Sequence, residues 1–144
     1  MEVRVKRLRE GAQLPTYGSV EAAGADLYAC LDEAVTIQPG ETVFIPTGIA
    51  LEVPKGCAGL VYARSSMGVK RGLAPANKVG VIDSDYRGEI KVVLLNHGSV
   101  PQTVENGERI AQFLITPVLQ PTYVSAEELS DTERNVGGFG STGK

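Results

Sequence analysis

Apolar positions in this chain recur in short alternating or β-branched runs, and the 3.6-residue period of an amphipathic helix is almost absent. Such runs occupy residues 3–7, 25–30, 34–37, 42–45, 49–53, 58–63, 79–82, 89–96 and 109–118. Gly, Pro and Asn punctuate them. Two of the breaks, Pro39-Gly40 and Asn106-Gly107, are turn dipeptides, each followed by Glu and a new run. Short strands separated by turns predict an all-β, jelly-roll-like fold, a distorted barrel or sandwich. One brief helix is expected over 65–71, with a serine hydroxyl as its N-cap and Gly72 as its stop. Residues 121–133 are polar and acidic around Glu127 and Glu128 and read as a linker to a flexible terminal arm, 134–144. No other composition shift divides the chain, so residues 1–144 read as a single domain.

Composition narrows the partners. A chain of 144 residues supports one core, burying roughly 70% of its unfolded surface. A net charge of −3 without a basic stripe argues against wholesale binding to nucleic acid, so an anionic ligand must be held locally. The first nine residues alternate charged and aliphatic side chains without an apolar signal region, and no run is long enough to span a bilayer. The expectation is a cytoplasmic protein with no membrane partner. Cys30 and Cys57 lie in apolar stretches, away from metal-ligand spacing, and read as buried free thiols.

The densest chemistry lies in residues 77–91, NKVGVIDSDYRGEIK. It reads as a hairpin in which an apolar strand ends in a turn of small and acidic residues, and a second strand leaves with Glu89 and Lys91 pointing outward. Acidic turns are ordinary at solvated tips. Asn77, an amide able to read a base edge, and Gly80, which admits a ligand close to the backbone, point beyond that. Arg64-Ser65-Ser66 follows an apolar run and opens the short helix; it is either an ordinary cap with an exposed arginine or an anion site. Asp26 puts a carboxylate in an apolar strand, where it needs a partner, a cation or solvent. Arg109 and Gln112 follow the Asn106-Gly107 turn, with a sheet-edge pair as the plain alternative. His97 is the one histidine and lies in a loop, so Ser/His/Asp catalysis has little support.

Residues 134–144, RNVGGFGSTGK, match G-x-G-x-x-G and the start of G-x-x-x-x-G-K, but no strand precedes them and no helix follows in this sequence. Two readings stay open. One is a frayed glycine-rich terminus. The other is an arm that closes on a nucleotide, its ring on a base and its amides on phosphates.

Taken in order, residues 23–29, 63–66, 77–89, 107–112 and 134–143 resemble the five motifs of the trimeric dUTPase family. Ala63 stands where many relatives carry proline, which concerns backbone stiffness and removes no ligand group. The resemblance implies a jelly-roll-like subunit in a homotrimer with three shared active sites. It implies hydrolysis of dUTP to dUMP and pyrophosphate, lowering dUTP and supplying dUMP for thymidylate synthesis. Asp83 matches the aspartate that holds the water attacking the α-phosphorus. Mg2+ would bridge triphosphate oxygens and keep several waters, one of them held by Asp26. Asn77, Gly80, Val81, Ile82 and Lys91 would surround uracil, with Tyr86 beneath the sugar. Arg64, Ser65, Ser66 and Gln112 would meet phosphates. In the arm, Phe139 would stack on uracil, Arg134 would lie near the γ-phosphate, and Gly140, Ser141 and Thr142 would donate to phosphate oxygens.

Two rivals remain on the sequence. A dCTP deaminase shares the fold and an Arg-Ser-Ser segment but uses a glutamate on the strand after the hairpin, and residues 90–95 here read IKVVLL. A jelly-roll module that binds nucleotides without turnover is the other, and Asp83 argues against it.

Overall fold

The structure is a computed structural model and describes residues 1–138. Its strands, in chain order, are β1 (Val5–Arg7), β2 (Thr16–Tyr17), β3 (Ala25–Tyr28), β4 (Val35–Ile37), β5 (Thr42–Pro46) and β6 (Ile49–Leu51). They continue with β7 (Cys57–Tyr62), β8 (Leu73–Pro75), β9 (Gly80–Ile82), β10 (Lys91–Asn96), β11 (Gln102–Val104) and β12 (Arg109–Pro117). Each apolar run contains a strand. The strands without a run of their own, β2, β8 and β11, span only two or three residues, too few for a two-residue period to show.

Pairing is antiparallel throughout, in sheets ordered β2-β3-β12-β7-β9, β5-β10-β8, β1-β6 and β11-β4. The sheets wrap one apolar core in a jelly-roll-like arrangement without closing into a barrel. Leu27, Ile37, Ile45, Ile49, Leu73, Ile90, Leu94 and Ile110 are completely buried there. Asn96 is buried among them and fully used: its amide nitrogen donates to the carbonyls of Ile37 (2.9 Å) and Val100 (2.8 Å), and its oxygen accepts from Gly98 N–H (3.0 Å). It ties the end of β10 to β4. The Phe113 ring lies over Gly59 of the neighbouring strand, where a Cβ would overlap Cζ, so the cross-strand contact exists only because residue 59 lacks a side chain.

Four expectations need correction. Residues 77–91 do not form a hairpin ladder: β9 pairs with β7, whereas β10 pairs with β5 and β8. The connection over 83–90 is longer than a hairpin turn and crosses between sheets, anchored by completely buried Ile90. The helix is a five-residue π-helix, Ser66–Lys70, and Ser65 does not cap it. Its backbone is helical (φ −56°, ψ −42°) and its hydroxyl makes no capping bond. The expected stop holds, since Gly72 has φ +66° and packs against the backbone of Gly98. Gln112 is not at a sheet edge, since it pairs with Asp26 of β3 and Tyr62 of β7, whereas Arg109 pairs with Tyr28 of β3 alone. Both cysteines are free, but only Cys30 is fully buried, and Cys57 packs partly buried against the core. Beyond residue 117 the described chain holds no strand or helix and exposes Leu119, Tyr123, Val124 and Leu129.

Candidate active site

The partner that Asp26 requires proves to be a pair of arginines. Asp26 is only 8% exposed; its Oδ1 accepts from Arg64 Nε at 2.7 Å and its Oδ2 from Arg109 Nη1 at 3.3 Å. A β-bulge makes this possible. Residues three apart on a regular strand face opposite sides, so Arg109 and Gln112 would diverge. Here Arg109 pairs with Tyr28 and Ala111 with Leu27, leaving Ile110 as the extra residue. Ile110 and Ala111 both turn into the core, and Arg109 and Gln112 both turn toward Asp26.

The result is a pocket of about 240 Å³ lined by Gly24, Asp26, Arg64, Ser65, Arg109 and Gln112, with Gly18 and Ala22 at its rim. Two guanidinium groups against one carboxylate leave it positively charged. Arg64 Nη1 also reaches Ser66 Oγ (3.4 Å) and the Arg109 carbonyl (3.5 Å), and Gln112 Nε2 donates to the Ala63 carbonyl (2.9 Å). These bonds hold the 63–66 segment against β12. A Cβ on Gly24 would stand 2.8 Å from Gln112 Oε1, so that glycine keeps the pocket open. The pocket can hold an anion. Its charge comes from side chains, because a five-residue helix contributes little dipole.

The second pocket is a cleft of about 390 Å³ where β9 and its outgoing loop face β5 and β10. Val81, Ile82, Asp83, Tyr86 and Lys91 line it, joined by Phe44, Glu89 and Val93. Asp83 opens a turn closed by Tyr86 N–H on its carbonyl (3.2 Å), and Arg87 Nη1 holds the carbonyls of Ser84 (2.8 Å) and Tyr86 (2.9 Å). The Tyr86 hydroxyl donates to the Glu89 carbonyl (3.2 Å) and lies over Gly88, where a Cβ would meet it at 2.3 Å. Glu89 Oε1 accepts from Gly48 N–H (3.0 Å), tying this loop to the turn after β5. Asp83 itself is exposed, and its carboxylate has no ion-pair partner among the described residues.

The two pockets share no lining residue. Asn77 sits on the β8–β9 connection and Gly80 at the start of β9, both outside the residues lining the cleft; Asn77 Nδ2 would lie 3.4 Å from a Cβ on Gly80. Arg134 is exposed in the terminal segment, its Nε donating to the Gly137 carbonyl (2.8 Å). Phe139, Gly140, Ser141 and Thr142 lie outside the described residues. Phe44 and Arg87 were missed by sequence reasoning, and Arg109 and Glu89 were marked only as polar groups of their segments, without a role in the site.

No group of three or more His, Cys, Asp or Glu that would cage a metal occurs among the described residues. Asp26 oxygens each accept one arginine bond and keep a lone pair, which suits a carboxylate that receives a water of a hydrated ion and does not ligate it directly.

An open jelly-roll-like β fold with a cationic pocket and a separate carboxylate-bearing cleft fits a protein that binds an anionic ligand such as a phosphate ester. The comparisons with known proteins resolve which kind of protein. A dUTPase family model matches residues 10–143. The deoxyuridine 5'-triphosphate nucleotidohydrolase of Hydrogenobaculum sp. (strain Y04AAS1) is 50% identical over 143 residues, 99% of each chain. That of Syntrophotalea carbinolica is 48% identical over 141 residues, covering 98% of this chain and 96% of the relative. Among solved structures, Staphylococcus bacteriophage 80alpha dUTPase with dUPNHPP matches at TM-score 0.91 and 29% identity, covering 99% of both chains. The chain belongs to the dUTPase family and is a dUTP diphosphatase.

Proposed function

We propose that this chain hydrolyses dUTP by in-line attack of a water on the α-phosphorus, with Asp83 taking the water's proton. The new P–O bond forms at the α-phosphorus as the bond to the β-phosphate oxygen breaks, releasing dUMP and pyrophosphate. One observation carries the assignment. Of the three carboxylates lining these pockets, Asp26 is engaged by two arginines and Glu89 by Gly48 N–H and Lys91, whereas Asp83 has no ion-pair partner among the described residues and can bind and deprotonate a water.

In this reading Val81, Ile82 and Lys91 flank the uracil, with Gly80 beside them on β9 and Asn77 on the loop that leads into it. Tyr86, held over Gly88, packs beneath the deoxyribose and leaves no space for a 2′-hydroxyl. Arg64, Ser65, Ser66, Arg109 and Gln112 receive the phosphates. Asp26 would accept a water of a Mg2+ ion bound through the triphosphate, which supplies charge neutralisation as pyrophosphate leaves. Arg134 and the residues from Phe139 to Thr142 act as an arm that closes over the nucleotide. Orientation and preorganised charge supply most of the rate.

The site is shared between chains of a homotrimer. Two observations support this: the pockets have no lining residue in common, and the segment after β12 exposes Leu119, Tyr123, Val124 and Leu129, a row of apolar side chains suited to cover by a neighbouring subunit. The enzyme works in the cytoplasm; no helix among the described residues is long and apolar enough to cross a membrane.

Asp83→Asn tests the mechanism. It keeps the shape of the cleft, so dUTP affinity stays near wild type while turnover falls on the order of 10² to 10⁴-fold. Near-normal pyrophosphate release by this variant removes Asp83 from the role of base.

A further inference from the structure

We propose that Arg71, outside every segment that carries the family resemblance, is a positioning residue that aligns the two phosphate-facing halves of the cationic pocket through Glu108. The inference rests on the reading that this pocket receives the phosphates. The π-helix Ser66–Lys70 has Ser65 and Ser66 at one end and Arg71 at the other. With five residues it cannot hold itself, since a helix that short is unstable without tertiary anchors. Buried Met67 is one anchor. Arg71 is the other, and all three of its guanidinium nitrogens are occupied. Nε donates to Gln102 Oε1 (3.0 Å), Nη2 to the Thr103 carbonyl, and Nη1 to Glu108 Oε1 and Met67 Sδ (3.5 Å).

Glu108 is the far half of the device. Its second oxygen accepts the Glu105 N–H (3.1 Å), fixing the turn, and the next residue in the chain is Arg109, which binds Asp26. Asp26 binds Arg64, and Arg64 reaches Ser66 at the start of the helix. The contacts therefore close a circuit around the pocket: Arg64, the helix, Arg71, Glu108, Arg109, Asp26 and back. Gln112 closes only the side nearest β7, through Ala63. Without Arg71 the circuit opens at one joint, and the Arg64–Ser66 segment can shift relative to Arg109. Misplacement by about 1 Å is enough to cost on the order of 10²-fold in a positioned site. A guanidinium suits the joint because its planar fork bonds three elements at once, which an ammonium cannot.

The test compares ligands that do and do not load the phosphate pocket. Affinities of dUMP and of α,β-imido-dUTP are measured by calorimetry for wild type, Arg71→Ala, Arg71→Lys, Glu108→Gln, the Arg71→Ala/Glu108→Gln double variant and Arg64→Ala, with Tm recorded for each. The expected result is a loss of about 10-fold or more in imido-dUTP affinity for Arg71→Ala, with dUMP affinity unchanged. Arg71→Lys should recover part of it, and the double variant should be no worse than Arg71→Ala. Should Arg71→Ala fail to fold, Arg71→Lys and Glu108→Gln carry the same comparison. Equal losses for both ligands, or no loss for either, overturn the positioning role and leave Arg71 as a stability contact. If Arg64→Ala binds imido-dUTP like wild type, the pocket is not the phosphate site and the inference falls together with that reading.

Discussion

Asp26 and Asp83 line separate pockets of this enzyme and are treated in opposite ways. Asp26 is buried and clamped by Arg64 and Arg109, so its charge is spent on holding two cations in place. Asp83 is exposed on a loop whose backbone is fixed by Arg87 and Glu89, so its position is set while its lone pairs stay free. The first arrangement suits an anion receptor, and the second leaves a carboxylate open for the proton-accepting role proposed for it. Placing them apart keeps Asp83 away from two guanidinium groups that would otherwise pair with it.

The strongest way to break this comparison is to separate the pockets genetically. Arg64→Ala and Asp83→Asn chains should each be nearly inactive. Refolded together, they should regain a fraction of wild-type turnover if one chain's cleft works with another chain's cationic pocket. A mixture as dead as its parents, with mixed oligomers confirmed by native mass spectrometry, would place both pockets of a site within one chain.

A smaller effect concerns sugar choice. Tyr86→Ala should narrow the ratio of kcat/KM for dUTP over UTP, by up to about 10²-fold, the usual limit for steric rejection of a hydroxyl. Gly88→Ala sharpens the point, because its Cβ would collide with the Tyr86 hydroxyl and displace the ring. An unchanged ratio in both variants would make Tyr86 a packing residue only.

Asp26→Asn probes the receptor side. It keeps the shape but weakens both arginine contacts, and a loss of about 2 kcal/mol in urea unfolding is expected for charge-assisted bonds that are only partly shielded. The same substitution at Asp83, which has no such partner, should leave the urea midpoint in place. Equal shifts at the two sites would erase the distinction between clamp and base. Smallest in functional terms is Gly59→Ala. Its methyl would overlap the Phe113 ring and cost about 1–3 kcal/mol of stability, with KM for dUTP unaltered.

The hydrophobic pattern by itself determined that this is an all-β chain, because a two-residue alternation between turn dipeptides has few other solutions. The sequence also made two carboxylates conspicuous, Asp26 inside an apolar strand and Asp83 on a loop between Gly80 and Gly88. Local sequence was misleading where a nearer solution competed with a distant one. Residues 77–91 look like a hairpin because their ends are close in sequence, yet β9 pairs with β7 and β10 with β5 and β8, in different sheets. Ser65 looks like a cap, yet the segment is drawn into a wide turn by Met67 and Arg71 beneath it. The partners of Asp26 were beyond reach for a plainer reason. Arg64 and Arg109 lie 38 and 83 residues away, and Arg109 faces Asp26 only because Ile110 bulges out of register. Chemistry can be read from residue types, but which groups meet depends on strand pairing and register, and a one-residue slip reverses the face of every side chain.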